Sequence, residues 1–264
     1  MRNSCLLRAL LPALALTLAP LSGPEARVRT HFTSVIKDKT DLVLVDLFRK
    51  AEARAAAGRP GTIDVMVFSF TTKALADELL RIAVAWPEGV KVRVMLDGAQ
   101  MSRGETHMGP YLYHAARGEY EDACLSPCEA DACRAACASA LKALLADRKL
   151  ANVEVRYWFY DAWVWNAAKK MPDYSHSKGL LLHHKSAIVN RQILATGSYN
   201  WSASAAKSNY ENLQVFSGTR EQGVVADFLA EFEAIWSHPE RSVTTEEGQA
   251  RKTEIWNGLY KANQ

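Results

Sequence analysis

The sequence predicts an α/β fold, a mixed sheet flanked by helices within one domain, and three observations carry that expectation. Residues 63–97 read strand, helix, strand, which is the order of a βαβ unit. Further strand-like runs at 153–159, 180–189, 191–196 and 213–216 precede an amphipathic helix over 224–236. Between these halves, over 98–149, the periodicity weakens and four cysteines gather, so this stretch reads as a cysteine-rich insertion.

The elements follow in order. Asp41 is placed to cap a helix over 42–57, where Val43, Leu44, Leu47 and Phe48 recur at helical spacing and Gly58 and Pro60 close the run. The run 63–70 (IDVMVFSF) is a largely buried strand. A helix then starts at Thr71 or Thr72 and ends at Trp86, before Pro87 and Gly89. The run 90–96 (VKVRVML) is a second strand, ending at Asp97. A short helix over 138–146 is expected inside the insertion, and 153–159 (VEVRYWF) resumes the sheet. A loop containing Pro172 and Asp173 leads to the strand at 180–189. Beyond Ser237 the tail is polar, with Ile255, Trp256, Leu259 and Tyr260 able to dock one helical face. The expected boundaries are 1–26 for a leader, 35–240 for the domain and 241–264 for the tail.

The leader is read from Arg2 and Arg8 flanking an apolar run at 10–19, too short for a stable bilayer span, followed by small and turn-forming residues to Ala26. A signal peptide is the expectation, and with it a secreted or periplasmic location; an uncleaved anchor is the alternative. Cys124, Cys128, Cys133 and Cys137 then favour two disulfides, their pairing open. A tetrahedral zinc site is the rival, although C-x3-C-x4-C-x3-C is unlike the usual C-x2-C knuckles. The formal net charge is only +3, which excludes a polycation and leaves an anionic substrate to a local patch.

The chemistry concentrates in 182–216. Side chains two apart on a strand share a face, so His183 and Lys185 point together and His184 points away. Ser198 and Asn200 project together at the end of the next strand, after Gly197, and Glu211 precedes another strand from which it could reach an imidazole nitrogen. Lys185, Ser198 and Asn200 suit the non-bridging oxygens of a phosphodiester. A neutral imidazole oriented by a carboxylate suits the nucleophile. No Asp, Glu and His cluster with metal-ligand spacing accompanies them, so the expected chemistry is covalent and electrostatic, without metal or cofactor. Taken singly, each feature has an ordinary reading: a core histidine, a turn into a helix, a cap at Glu211. Asn200-Trp201-Ser202 also matches a glycosylation sequon, but a site role without a glycan is expected. Their joint spacing carries the weight.

That spacing resembles the HxK-x4-D motif of the phospholipase D superfamily with its GSxN and EN elements, in the branch with one motif copy per chain that holds small bacterial endonucleases and mitochondrial cardiolipin hydrolases. His183 and Lys185 match H and K; Gly197, Ser198 and Asn200 match GSxN; Glu211 and Asn212 match EN. The motif's aspartate falls on Asn190, a departure at a structural position. The resemblance implies a phospholipase D-like fold, attack of one histidine on phosphorus, and a second histidine as acid. With one motif copy, it implies a homodimer whose His183 residues face each other across a two-fold axis. His31, His107, His114, His176 and His238 lack the accompanying pattern, and His176 is the fallback acid within the chain.

Three substrate readings remain: phospholipid, nucleic acid, or a catalytically weakened phosphate-binding relative. The aromatics at 157–165 (YWFYDAWVW) suit a membrane interface if they line the site, and equally unpaired bases or the core. Lys169, Lys170, Lys178, Lys185 and Lys207 could form a basic rim for nucleic acid. Phospholipid is the leading expectation, with peripheral membrane contact.

Overall fold

The computed structural model describes residues 27–33, 39–102, 108–116, 150–175 and 180–263. The leader, Cys124, Cys128, Cys133, Cys137, the helix expected at 138–146, His107, His176 and Lys178 lie outside the described residues, as does the side chain of His114.

Among the described residues, ten strands and six α-helices follow one another as β1 (Arg27–Phe32), α1 (Thr40–Ala56), β2 (Gly61–Val67), α2 (Lys73–Ala85), β3 (Val90–Asp97), α3 (Met108–Ala116), β4 (Val153–Trp158), β5 (Trp163–Asn166), β6 (Met171–Tyr174), β7 (Lys185–Val189), β8 (Ile193–Gly197), α4 (Ala203–Lys207), β9 (Asn212–Ser217), α5 (Gln222–Trp236), β10 (Ser242–Thr244) and α6 (Thr245–Ala262). Eight strands make one sheet in the order β1-β9-β8-β7-β2-β3-β4-β10. The central β2, β3 and β4 are parallel, and β7 joins β2 antiparallel with Val67 opposite Lys185. The sheet is therefore mixed, as expected of the phospholipase D-like fold that the motif implies.

Period-two alternation decides what each face buries. Ile63, Val65 and Val67 of β2, with Val92, Val94 and Leu96 of β3, pack beneath α1 and α2. Met66, Met95, Ile188 and Leu194 pack on the other face against Val225, Phe232, Ile235 and Trp236 of α5. Both faces of the central strands are covered, which explains their continuous apolar runs. Losing a side chain such as Phe232, wholly buried, costs about 3–5 kcal/mol. On the α5 face two charges are also buried: Arg93 Nε donates to Asp64 at 2.6 Å while its other nitrogens hold Glu233 at 2.8 and 3.0 Å. Burial pushes the Asp64 carboxyl up despite that partner.

Four boundaries differ from the sequence reading. Asp41 lies inside the first turn of α1, and its side chain caps nothing, because it accepts the hydroxyl of Tyr199. Residues 98–102 and 108–116 contribute to the core: Ala99, Met101, Met108, Tyr111, Leu112 and Ala116 are buried. At the far end of the excursion that follows, Leu150 N donates to Ala116 O at 2.8 Å. The loop expected around Pro172 is a hairpin, β5–β6, and α6 packs on it with ring centroids 5.4 Å apart in both Trp163–Trp256 and Trp165–Tyr260. The tail is structural, since β10 extends the sheet on β4 and a capping box between Thr244 and Glu247 starts α6.

Candidate functional site

One end of the sheet gathers the site. There β2, β3 and β4 terminate, β7 begins at Lys185, β8 ends at Gly197 and β9 begins at Asn212. Carboxyl ends of parallel strands are where open α/β sheets bind ligands, because the chain leaves the ladder there and frees backbone and side chains.

His183 is not in a strand. The expected strand at 180–189 begins only at Lys185, and residues 180–184 run as irregular chain across the ends of the parallel strands. The pairing of His183 with Lys185 survives that change. Lys185 is 6% exposed; its Nζ donates to His183 O at 2.9 Å and stands 3.3 Å from His183 Nδ1 and 3.5 Å from Nε2. Phe68 backs both, its ring 4.6 Å from the imidazole centroid and 5.4 Å from Lys185 Nζ. Burial, then the charge of Lys185, then His184 hold the His183 imidazole below the usual histidine range. This favours the neutral imidazole at neutral pH. Burial also lowers Lys185, against the opposing pull of Glu211. His184 turns to the α5 face, its Nε2 3.6 Å from Glu231.

The Gly197-Ser198-Tyr199-Asn200 segment divides its side chains between core and rim. Tyr199 and Trp201 are wholly buried. Trp201 crosses Phe70 at 5.1 Å and 86° and binds Ser69 O through its backbone N–H at 3.1 Å. Anchored by these two plugs, Ser198 and Asn200 face outward. Gly197 has no room for a side chain, since a Cβ would collide with the backbone oxygen of Asn212. Ser198 Oγ donates to Glu211 Oε2 at 2.6 Å and accepts from Asn212 N at 3.1 Å. Glu211 also takes Asn209 Nδ2 at 3.0 Å, and its backbone N–H reaches Thr33 Oγ1 at 2.9 Å.

Glu211 thus differs from expectation: among the described residues it makes no hydrogen bond to His183 and acts on Lys185 through its charge. Asn200 Oδ1 is buried without a hydrogen-bond partner. Asn190 sits away from the chemistry, at the tip of the β7–β8 hairpin. Asn190 and Arg191 both have φ of 57°, and Gln192 N closes on Val189 O at 3.1 Å. Its amide accepts from Thr62 N at 3.2 Å and donates to Lys50 O at 3.0 Å, tying the hairpin to β2 and α1.

The aromatic run at 157–165 serves mostly as core. Tyr157, Phe159, Tyr160 and Trp163 are all below 10% exposed. Trp158 alone reaches the site, donating Nε1 to Leu180 O at 2.9 Å. Lys169 and Lys170 lie on the β5–β6 hairpin, with Lys169 held by Asp173 at 2.7 Å. Sequence reasoning missed Phe68, Asp97 and Asp41, each at or just beyond an element end, where periodicity gives no signal.

Fold and geometry together define an α/β protein carrying a histidine–lysine pair and a serine–asparagine loop at the carboxyl end of a mixed sheet. A family model described as cardiolipin synthase, PLD-like domain, matches residues 53–236, and the chain belongs to this phospholipase D-like family, whose members are typically phosphodiesterase hydrolases. Mitochondrial cardiolipin hydrolase of Homo sapiens is 46% identical over 55 residues, 21% of this chain and 21% of that protein. Its counterpart in Chlamydomonas reinhardtii is 36% identical over 55 residues, 21% of this chain and 23% of that protein. The alignment therefore spans about a fifth of these curated relatives. Among solved structures, NucT from Helicobacter pylori is 14% identical with a TM-score of 0.47, covering 83% of this chain and 99% of that one. Nuc from Salmonella typhimurium, titled a phospholipase D family member, is 17% identical with a TM-score of 0.44, covering 83% and 98%.

Proposed function

We propose that the protein is a phospholipase D-type phosphodiesterase that hydrolyses phospholipids through a phosphohistidine at His183, without a metal ion. The observation that carries this reading is the neutral imidazole of His183 held 3.3 Å from the Lys185 ammonium. The imidazole attacks phosphorus, the bond to the leaving oxygen breaks, and an acid protonates that oxygen. Water then cleaves the phosphorus–nitrogen bond, releasing a phosphomonoester and restoring His183. Lys185 and the amide nitrogen of Asn200 hold the non-bridging oxygens, where negative charge builds up, and Ser198 joins them once its hydroxyl turns away from Glu211. The proposed acid is His183 of a second copy facing it across a two-fold axis, as the single motif copy implies; within the chain, the neighbouring His184 faces α5 instead.

Two observations support phospholipid as substrate. The match to proteins named cardiolipin hydrolase is one. The other is the apolar rim at this end of the sheet, where Phe32, Leu180 and Tyr210 are 41%, 63% and 87% exposed. Export and a disulfide-closed cysteine segment belong to the same proposal. Purified protein incubated with chelator on cardiolipin-containing vesicles, and in parallel on single- and double-stranded DNA and RNA, tests it. Release of a phosphomonoester from vesicles, lost in His183→Ala, is the expected result. Cleavage of nucleic acid alone would make the protein a nuclease, and activity only with added magnesium or zinc would refute the mechanism.

A further inference from the structure

The irregular chain at 180–184 must place the His183 ring without a sheet ladder to fix it. Four hydrogen bonds replace the ladder. Trp158 Nε1 holds Leu180 O at 2.9 Å, Phe68 N holds His184 O at 2.8 Å, and Lys185 Nζ holds His183 O at 2.9 Å. The fourth is made by a carboxylate: Leu182 N donates to Asp97 Oδ2 at 2.9 Å. Asp97 is the last residue of β3 and is 0% exposed. Its carboxylate also accepts Ala99 N at 2.9 Å and the Tyr160 hydroxyl at 3.2 and 3.4 Å. A buried carboxylate is expensive to desolvate, and an acceptor fed by several donors is the arrangement that compensates for it. A turn after a strand needs no such group; an uncharged residue there would do.

We propose that Asp97 is a positioning residue for catalysis: it fixes the backbone immediately before His183, and so the distance of the imidazole from phosphorus. The inference rests on His183 being the nucleophile. Asp97 touches neither substrate nor the reacting nitrogen. Its effect is on geometry, where a displacement of about 1 Å lowers turnover about 100-fold.

The test is steady-state hydrolysis of bis(p-nitrophenyl) phosphate by the full chain and by His183→Ala, Asp97→Ala and Asp97→Asn, each checked for folding by circular dichroism. Asp97→Ala should lower kcat about 100-fold with KM changed less than about threefold, because the phosphate-holding groups stay in place. Asp97→Asn, which keeps one acceptor oxygen for Leu182 N, should recover part of that loss. Amide exchange on the unmodified protein gives an answer that does not depend on the variants folding. The Leu182 N–H should be protected although it lies outside any strand. Normal kcat in folded Asp97→Ala, or rapid exchange at Leu182, overturns the positioning role while His183→Ala stays inactive. Full activity in His183→Ala would instead overturn the nucleophile assignment itself.

Discussion

Ser198 gives its hydroxyl to Glu211 at 2.6 Å, so the glutamate holds the serine in place of the histidine. The carboxylate also offsets the burial that lowers Lys185. Glu211→Ala removes both effects and Ser198→Ala only one. We expect Ser198→Ala to lower kcat/KM about tenfold, the value of one hydrogen bond, and Glu211→Ala to lower it further. An equal or larger loss in Ser198→Ala would show that the glutamate's charge does nothing for Lys185.

The acid limb of the pH–rate profile reports His183. Its folded-state pKa lies below the ordinary histidine value, so the reactive neutral form persists to lower pH than for a free histidine. Activity should rise with pH through a midpoint below about 6.5 and stay level above it on this limb. Lys185→Met removes one of the charges that depress the pKa, and should move the midpoint upward along with its large loss of rate. A midpoint above that of free histidine in the unmodified protein would contradict the electrostatics.

At Asn190 the amide uses both of its ends, one on Thr62 N and the other on Lys50 O. Asn190→Asp keeps the acceptor and places a carboxylate against the Lys50 carbonyl. The expected outcome is a loss of about 1 kcal/mol in urea unfolding, with the rate within about tenfold because the hairpin tip is remote from His183. A gain from no turnover to robust turnover would mean that the charge at this position serves the reaction.

Asp41 beneath Tyr199 gives a stability signature. Burial raises its carboxyl pKa above the unfolded value, although Tyr199 donates to it. A carboxyl with a raised folded pKa favours the fold when protonated, and that contribution is lost as pH rises from the unfolded value through the folded one. Asp41→Asn keeps an acceptor for Tyr199 without the charge. Its Tm relative to the unmodified protein should therefore be more favourable at pH 7 than at pH 4. A difference that does not change with pH would show that the carboxyl is solvated in solution.

The central strands were legible because both faces are buried, so 63–70 and 90–96 read as apolar runs, and the motif residues were legible because alternation assigns faces. Ser198 and Asn200 outward with Tyr199 inward is the same period-two rule. The rule failed at His183, whose apolar neighbours Leu180, Leu181 and Leu182 mimic a strand while the backbone is held by side chains from three other elements. The pairing of His183 with Lys185 was still right, because the lysine is long enough to fold back on the chain that precedes it. β1 and the β5–β6 hairpin were missed for opposite reasons. RVRTHF is almost wholly exposed and has no apolar face to detect, and the hairpin contains Pro172. Asp97 carried only the signal of an acid ending an apolar strand, and its partner Leu182 lies far along the chain.

The hydrogen bond from Leu150 N to Ala116 O brings the ends of α3 and of the chain leading into β4 together. A turn of about four residues could therefore join them. Closure entropy grows only with the logarithm of length, and an eightfold shorter connection recovers about 2 kcal/mol at most. Excision of 117–149 takes Cys124, Cys128, Cys133 and Cys137 with it. The shortened chain is expected to fold in a reducing cytosol and keep its Tm within a few degrees by calorimetry, because the two described ends that flank 117–149 already meet. A shortened chain that fails to fold would show that the appendage is part of the scaffold.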